Sequence, residues 1–204
     1  MILALDTSTA ACTAALFGED GTLLASADEA IGRGHAERLV PMLDEMLAGR
    51  RADLILVGCG PGSFTGLRVG IAAAHGLAIG WGAALRGFDS LALLAASAPA
   101  DDGATVAAAI SGGHGELFVQ QFDAATLSPA GPLRNLPPAQ AAVVIGAPLV
   151  IGSGAAALVG ARGSGQPLDA FPRAANLLRL PAAQRDLPPR PIYARAPDAR
   201  PRAA

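Results

Sequence analysis

Apolar and polar positions follow two different patterns along the chain, and each pattern indicates a different kind of element. Short unbroken apolar runs between turn residues are typical of buried strands, whereas apolar residues at i, i+3, i+4 and i+7 are typical of helices. The apolar runs predict strands over residues 2–6, 11–17, 22–28, 53–58, 83–87, 104–110, 116–123 and 149–152. The helical period predicts helices over residues 34–48, 67–80, 89–97 and 173–180, a helical turn at 138–142, and a short helix or loop at 153–160.

The helix predicted over residues 34–48 carries one apolar stripe, and the order of the elements indicates the fold class. The stripe consists of Leu39, Met42, Leu43, Met46 and Leu47. Pro41 lies inside this helix and predicts a kink or a late start. Asp89 is a predicted N-cap for the helix that follows it. Strands and helices alternate in a way that predicts an α/β protein with a mixed sheet.

Turn residues near the middle of the chain predict a division into two lobes. The run Asp101-Asp102-Gly103 is the predicted boundary. It gives an N-terminal lobe over residues 1–100 and a smaller C-terminal lobe over residues 101–186. Residues 187–204 form a tail rich in Pro and Arg, which we expect to be extended or partly disordered.

Composition narrows the class of protein. The 204 residues are 51% hydrophobic and 16% charged, which excludes a disordered or coiled-coil chain. The net charge of -2 argues against a protein that grips nucleic acid mainly through its own charge. All 15 basic residues are Arg, so no lysine can serve as a Schiff-base nucleophile or in a P-loop. We expect a cytoplasmic protein with no membrane contact, and reduced thiols at Cys12 and Cys59.

A first candidate for chemistry is the Asp6-Thr7-Ser8 turn at the end of the first predicted strand. An acidic residue followed by hydroxyls can place an acid and backbone N–H groups near a phosphate or its metal ion. A solvated turn at a strand end is the alternative, and these three residues alone favour it.

A second candidate is the glycine-rich loop before the helix predicted over residues 67–80. Glycines allow close approach to a ligand, and a helix N-terminus favours anions. The loop lacks the Walker lysine and the spacing of the dinucleotide fingerprint. Phosphate binding and a tight connection for packing therefore remain equal alternatives. The residues concerned are Gly60, Gly62, Ser63, Thr65, Gly66 and Arg68.

No catalytic set can be recognised in the sequence. His35, His75 and His114 lie far apart with no carboxylate at ligand spacing, so no metal site is expected. Among the cysteines, only Cys59, at the mouth of the glycine loop, is a weak candidate nucleophile. The apolar helix at 34–48 and the small-residue helix at 67–80 favour either packing on the chain's own sheet or a face for a partner.

Several segments together resemble one family. They are ILALDTST, RGHAERLVPMLDEML, GPGSFTGLRVGIAAAHGLAIG, GFDSLALLA, GELF and PIYARAPDA, in that order. They resemble the TsaB (YeaZ) family of bacterial proteins of tRNA threonylcarbamoyladenosine biosynthesis. The resemblance implies an actin-like ATPase fold, that of sugar kinases, heat-shock proteins and acetate kinases, with two lobes of mixed sheet and flanking helices.

The resemblance also implies a role. Members of the family are non-catalytic paralogues of TsaD, which transfers threonylcarbamoyl to the adenosine next to the anticodon of ANN-reading tRNAs. The resemblance implies a scaffold or activator subunit that pairs with a TsaD-like protein and joins an assembly with a TsaE-like ATPase. It implies no cofactor for this chain, ATP or ADP only in the assembly, and tRNA contact mainly through the partner. Whether the isolated chain forms a homodimer stays open.

The resemblance assigns two sets of residues. The expected partner interface is Leu39, Met42, Leu43, Met46, Val69, Ala72, Ala73 and Gly76. Nucleotide, phosphate or TsaE contacts are expected at Asp6, Thr7, Ser8, Gly60, Gly62, Ser63, Thr65, Gly66 and Arg68. Ser90 and Leu94 stand where TsaD-like chains carry two metal-binding histidines, so the resemblance implies that this metal site is absent.

Some features depart from the family pattern, and two other functions compete with the scaffold. The link from Ala48 to Asp53 is short for the family, and the Ser111-Gly112-Gly113-His114 turn replaces a frequent Asp-Ala-Arg. One alternative is a small nucleotide-dependent kinase or ATPase that uses Asp6 and the loop 60–66. The other is a glycoprotease-like peptidase, for which no nucleophile–base pair or metal site is recognisable.

Overall fold

A computed structural model describes residues 1–99 and 104–194 and contains two five-stranded sheets. The strands of the first sheet are β1 (Ile2–Asp6), β2 (Ala11–Phe17), β3 (Leu23–Ala30), β4 (Leu54–Gly58) and β5 (Ala84–Phe88). Their order is β3-β2-β1-β4-β5. The pairings of β1 with β2 and of β2 with β3 are antiparallel, and β1, β4 and β5 run parallel to one another. The first sheet is therefore mixed, as predicted.

The second sheet repeats this mixed pattern. Its strands are β6 (Thr105–Ser111), β7 (Leu117–Asp123), β8 (Arg134–Leu136), β9 (Leu149–Ile151) and β10 (Gln166–Leu168). Their order is β10-β9-β6-β7-β8. The pairings of β6 with β7 and of β7 with β8 are antiparallel, and those of β6 with β9 and of β9 with β10 are parallel.

Helices cover both sheets and separate them. The helices are α1 (His35–Leu47), α2 (Phe64–Trp81), α3 (Ser90–Ala95), α4 (Pro138–Val144), α5 (Ala155–Arg162) and α6 (Ala182–Arg185). One core lies between α1, α2 and the first sheet, and another between α4, α5 and the second sheet. A third core, shared by both sheets, contains α3 and the 3-10 helix Ala174–Arg179. Because successive strand residues point to opposite faces, Leu3 and Leu5 enter the first core and Ala4 enters the shared one.

Most predicted elements are confirmed, and the differences have local causes. Helix α2 begins at Phe64 rather than at residue 67, because the Ser63 side chain caps it by accepting a hydrogen bond from the Gly66 amide. Helix α1 runs through Pro41 from His35 to Leu47, so the predicted late start is wrong. The helix predicted over residues 173–180 is a 3-10 helix. Strands β8 and β10 and helix α6 were not predicted, since segments of three or four residues carry too little periodicity.

The end of the described chain returns to the first sheet. Leu187 exchanges two backbone hydrogen bonds with Gly87 of β5, and the Ile192 amide donates to the Cys59 carbonyl. We call residues 187–194 the strap. The strap packs against the N-terminal lobe through these hydrogen bonds. The predicted lobe boundary at 101–103 and the arginines at 195, 200 and 202 lie outside the described residues.

Candidate functional site

The Asp6 carboxylate lies at the end of β1 and is buried. Its Oδ1 accepts hydrogen bonds from the Ser8 amide at 2.8 Å and from Ser8 Oγ at 2.6 Å. Its Oδ2 accepts one from Ser90 Oγ, at the start of α3, at 2.6 Å. Burial raises the pKa of Asp6 above its ordinary value, and the bonds from Ser8 and Ser90 oppose that rise. Both carboxylate oxygens are therefore satisfied inside the chain.

The glycine loop packs directly onto the turn that follows Asp6. The Ser63 amide donates to the Ser8 carbonyl at 2.7 Å, and Thr7 Oγ1 donates to the Gly66 carbonyl at 2.7 Å. A Cβ atom at Gly62 would overlap the Ser8 carbonyl, and one at Gly66 would overlap the Thr7 carbonyl. These two glycines let the start of α2 approach the protein's own backbone. Of the two alternatives for the loop, this geometry supports the tight connection.

The residues expected at a nucleotide or TsaE contact thus divide into two groups. Asp6, Thr7 and Ser8 are buried, and the Gly60 amide donates to Ser90 Oγ at 3.0 Å. Gly62 and Gly66 contact this turn. The side chains of the second group are exposed to solvent, and they are Ser63, Thr65 and Arg68. Of the nine residues, Ser8, Gly62, Ser63 and Arg68 line the neighbouring cleft.

The residues expected at the partner interface divide in a similar way. The α1 stripe, Leu39, Met42, Leu43 and Met46, is buried in the core between α1, α2 and the first sheet, and even Met46 is only 9% exposed. The structure thereby corrects the α1 half of the predicted face, because an amphipathic helix on a sheet turns its apolar side inward. On α2, Val69 and Ala73 are partly buried against the same core. Ala72 and Gly76 are exposed.

A cleft of about 1010 Å³ opens beside the turn that follows Asp6. It is lined by residues of both lobes and of the strap. Its lining includes Ser8, His35 and Arg68 on one side and His114 and Ser153 on the other. The Ser111 amide donates a hydrogen bond to Ser153 Oγ at 3.1 Å. This bond ties the Ser111–His114 turn, which departs from the family pattern, to the wall of the cleft. Tyr193 of the strap is also part of the lining.

Ser90, Phe64 and Tyr193 were not among the predicted site residues. Ser90 is 84 positions from Asp6, and no local pattern links the two. Phe64 and Tyr193 lie within the segments that carry the family resemblance, and the only signal was that each is a lone aromatic residue in its segment. Leu94, the second position at which the resemblance implies the absence of a metal-binding histidine, is buried in the shared core.

Histidines and cysteines are distributed without any cluster. In residues 1–99 and 104–194, no group of three or more His, Cys, Asp or Glu is arranged to hold a metal ion. His35 is bonded through Nε2 to the Thr9 carbonyl at 2.8 Å. Cys12 and Cys59 are both buried free thiols, and burial raises the pKa of each to about 11. A thiol with so high a pKa is a poor nucleophile near neutral pH.

Within residues 1–99 and 104–194, no helix is both long enough and apolar enough to span a bilayer.

Comparison with known proteins gives concordant matches. Residues 28–131 match the family model of TsaD, tRNA N6-adenosine threonylcarbamoyltransferase. A Pseudomonas aeruginosa structure, described as a protein with similarity to the peptidase YeaZ, superposes with a TM-score of 0.80 at 35% identity. The superposition covers 95% of this chain and 99% of that one. The chain belongs to the TsaB (YeaZ) family. YeaZ from P. aeruginosa itself gives a TM-score of 0.76 at 33% identity, over 94% of this chain and 98% of that one.

The TsaB of Escherichia coli K12 is 40% identical over 127 residues, which make up 59% of this chain and 54% of that protein. The chain therefore spans about half the length of this curated relative. The chain shares the fold of these two YeaZ structures, and the predicted mixed sheets with flanking helices are confirmed.

Proposed function

We propose that the chain is a scaffold or activator subunit in tRNA threonylcarbamoyladenosine biosynthesis. It pairs with a TsaD-like protein that transfers threonylcarbamoyl to the adenosine next to the anticodon of ANN-reading tRNAs. A TsaE-like ATPase joins the pair, and ATP or ADP belongs to that assembly rather than to this chain. The tRNA contacts mainly the TsaD-like partner, in keeping with the net charge of -2. The curated relatives named TsaB support the pathway.

The observation that carries the proposal is the exposed face of α2. The side of this helix that contains Leu67, Ile71 and Ala74 packs on the sheet. The opposite side carries Ala72, Gly76, Ile79 and Gly80, spaced at i, i+4, i+7 and i+8, and Ile79 is 83% exposed. A Cβ atom at Gly76 or Gly80 would meet nothing within 4 Å. A flat strip of small residues beside one exposed isoleucine suits close approach of a helix from a partner.

The geometry around Asp6 argues against the competing kinase or ATPase. An acid that handles a nucleotide must face the nucleotide or its metal ion. The Asp6 oxygens instead accept hydrogen bonds from Ser8 and Ser90. The thiols of Cys12 and Cys59 are buried, which leaves the peptidase alternative without an exposed thiol nucleophile in the described part of the chain.

Reconstitution tests the proposal. The chain and the TsaD-like protein from the same source are purified, and their complex is measured by size exclusion with light scattering. Threonylcarbamoyl transfer to tRNA is then measured with and without this chain, with TsaC-like and TsaE-like proteins supplied. We expect a one-to-one complex and transfer that depends on the chain. Absence of both would overturn the scaffold function.

A matched pair of substitutions locates the interface. Ile79→Asp places a charge in the exposed strip of α2 and should weaken the complex by about tenfold or more, because a charge buried in an apolar contact is costly. Val143→Asp is the control, since Val143 lies on α4 of the other lobe and is 85% exposed. It should leave the affinity unchanged. Equal affinities for both variants would remove α2 from the interface.

A further inference from the structure

The cleft between the lobes differs in charge from the rest of the molecule. The whole chain has 17 acidic and 15 basic residues, yet the described residues that line the cleft include no Asp or Glu. Its ionisable lining residues are His35, Arg68, His114 and Tyr193. The N-terminus of α2 also opens here, and its first turn carries no acidic residue. A lining of this kind favours an anion.

The same cleft offers nothing to hold a divalent cation. The acid that lies behind Ser8 is Asp6, whose two oxygens accept hydrogen bonds from Ser8 and Ser90. Magnesium prefers carboxylate and phosphate oxygens. An anion in this cleft therefore has to be neutralised by a side chain rather than through a metal ion.

Arg68 is placed to do this. Its guanidinium carbon lies 3.6 Å from the centre of the Phe64 ring, and its Nη2 donates to the Tyr193 hydroxyl at 3.2 Å. Stacking and this hydrogen bond fix the plane of the guanidinium. Within residues 1–99 and 104–194, Arg68 makes no ion pair, whereas Arg38, Arg86 and Arg173 each lie within 4.0 Å of a carboxylate. Its remaining N–H donors are available to an anionic ligand.

Aromatic side chains gather at the same place. Three of the chain's eight aromatic residues, Phe64, Phe118 and Tyr193, line the cleft. Phe64 is 58% exposed and Tyr193 is 56% exposed, with ring centroids 6.2 Å apart. Exposed aromatic surface beside a stacked cation suits a flat apolar group that carries a negative charge.

We propose that this cleft binds a small planar aromatic anion without a divalent metal ion. The anionic group pairs with the Arg68 guanidinium, and the ring packs beside Phe64 and Tyr193. The strap holds Tyr193 in place through its backbone hydrogen bonds to Gly87 and Cys59, so the wall is formed before the ligand arrives. This site is independent of the α2 strip that carries the proposed function.

Calorimetric titration of the full chain with phenyl phosphate in EDTA tests the site. Inorganic phosphate and benzyl alcohol, which represent the charged half and the aromatic half of this probe, are titrated separately. We expect saturable binding of phenyl phosphate that is about tenfold or more tighter than binding of either half, since charge and ring contribute together. Excess Mg²⁺ should leave the affinity unchanged. Titration with AMP distinguishes nucleotides from other aromatic anions as the ligand. If AMP binds more tightly than phenyl phosphate, the site is assigned to nucleotides. If AMP binds more weakly, the site is assigned to other aromatic anions.

Two arginine variants give the matched comparison. Arg68→Gln removes the charge and should weaken phenyl phosphate binding about tenfold or more, with benzyl alcohol unaffected. Arg173→Gln is the control, because Arg173 also lies over a phenylalanine ring, that of Phe171, and does not line the cleft. It should bind phenyl phosphate like the unchanged protein. The proposal is overturned if phenyl phosphate shows no saturable binding, if Arg68→Gln binds it equally well, or if binding requires Mg²⁺.

Discussion

Ser90 Oγ donates a 2.6 Å hydrogen bond to Oδ2 of Asp6 and accepts one from the Gly60 amide at 3.0 Å. One hydroxyl thus joins the end of β1, the glycine loop and the start of α3. The resemblance to the TsaB (YeaZ) family implies that Ser90 stands where a metal-binding histidine of TsaD-like chains is absent. The structure gives the serine a role of its own, because it supplies the second buried carboxylate oxygen with a donor.

Ser90→Ala should destabilise the fold through this junction. It leaves Asp6 Oδ2 without a donor and the Gly60 amide without an acceptor, and a buried polar group that loses its partner costs about 2 kcal/mol. Chemical denaturation at neutral pH measures the loss. Ser26→Ala is the control, since Ser26 is exposed on β3, and its effect should fall within about 0.5 kcal/mol. Equal stability of the two variants would show that the junction is not stabilising.

The buried carboxyl group of Asp89 makes the stability of the fold depend on pH over a defined range. It caps α3 by accepting hydrogen bonds from the Leu91 and Ala92 amides, and burial raises its pKa from 3.8 to about 6. The folded state holds the Asp89 proton more tightly than the unfolded state does. Protonation of Asp89 therefore adds to the free energy of unfolding, fully below pH 3.8, and this addition is lost as the pH rises through 6.

Asp89→Asn isolates this contribution. Asparagine caps helices about as well as aspartate but does not titrate. We expect the free energy of unfolding of the unchanged protein to fall relative to that of the variant between about pH 4 and pH 6, as the raised pKa requires. Denaturation curves at several pH values across this range provide the measurement. Parallel pH profiles would contradict the raised pKa.

Two glycines of α2 should respond in opposite directions to the same substitution. Gly66→Ala drives a Cβ into the Thr7 carbonyl and should cost about 3 kcal/mol, because backbone has to move. Gly76→Ala meets open space within a helix and should stabilise the chain by about 0.5–1 kcal/mol. Thermal and chemical denaturation of the two variants provide the test. Destabilisation by Gly76→Ala would place an unrecognised contact at that position.

Sequence patterns identified most of the elements because unbroken apolar runs between turn residues mark the strands and an apolar stripe marks α1. Strands β1 and β2 have the predicted bounds, and the N-cap at Asp89 is confirmed. The site was harder to predict, since its geometry depends on residues that are distant in the sequence. The apolar stripe of α1 indicates burial, but periodicity does not say whether the sheet or a partner covers it. Here Leu39 and Met42 pack on the chain's own sheet.

The glycine loop shows the same limit in more detail. Glycine at positions 62 and 66 indicates close approach of some group to the backbone, without identifying that group. Only the folded chain shows that the approaching atoms are the carbonyls of Thr7 and Ser8. The pairing of Arg68 with Tyr193 spans 125 positions and leaves no local pattern at all.

The strap should control the reactivity of Cys59. This thiol lies beneath the strap, with its Sγ 3.6 Å from the Pro188 carbonyl, and burial raises its pKa to about 11. A chain that ends at Asp186 lacks the strap, so the Cys59 pKa should return toward its ordinary value. Alkylation by iodoacetamide at pH 8 should then accelerate about 10- to 100-fold, as the thiolate fraction rises. Peptide mapping by mass spectrometry follows each cysteine separately.

Cys12 is the internal control for this experiment. It lies in β2 on the far side of β1 from Cys59, and its thiol is buried in the core beneath α1. If the strap alone protects Cys59, alkylation of Cys12 stays slow in the truncated chain. If both thiols accelerate together, the lobe has opened as a whole, and the strap stabilises the fold rather than covering one site. Unchanged alkylation of Cys59 would show that its burial comes from the glycine loop and β5 without the strap.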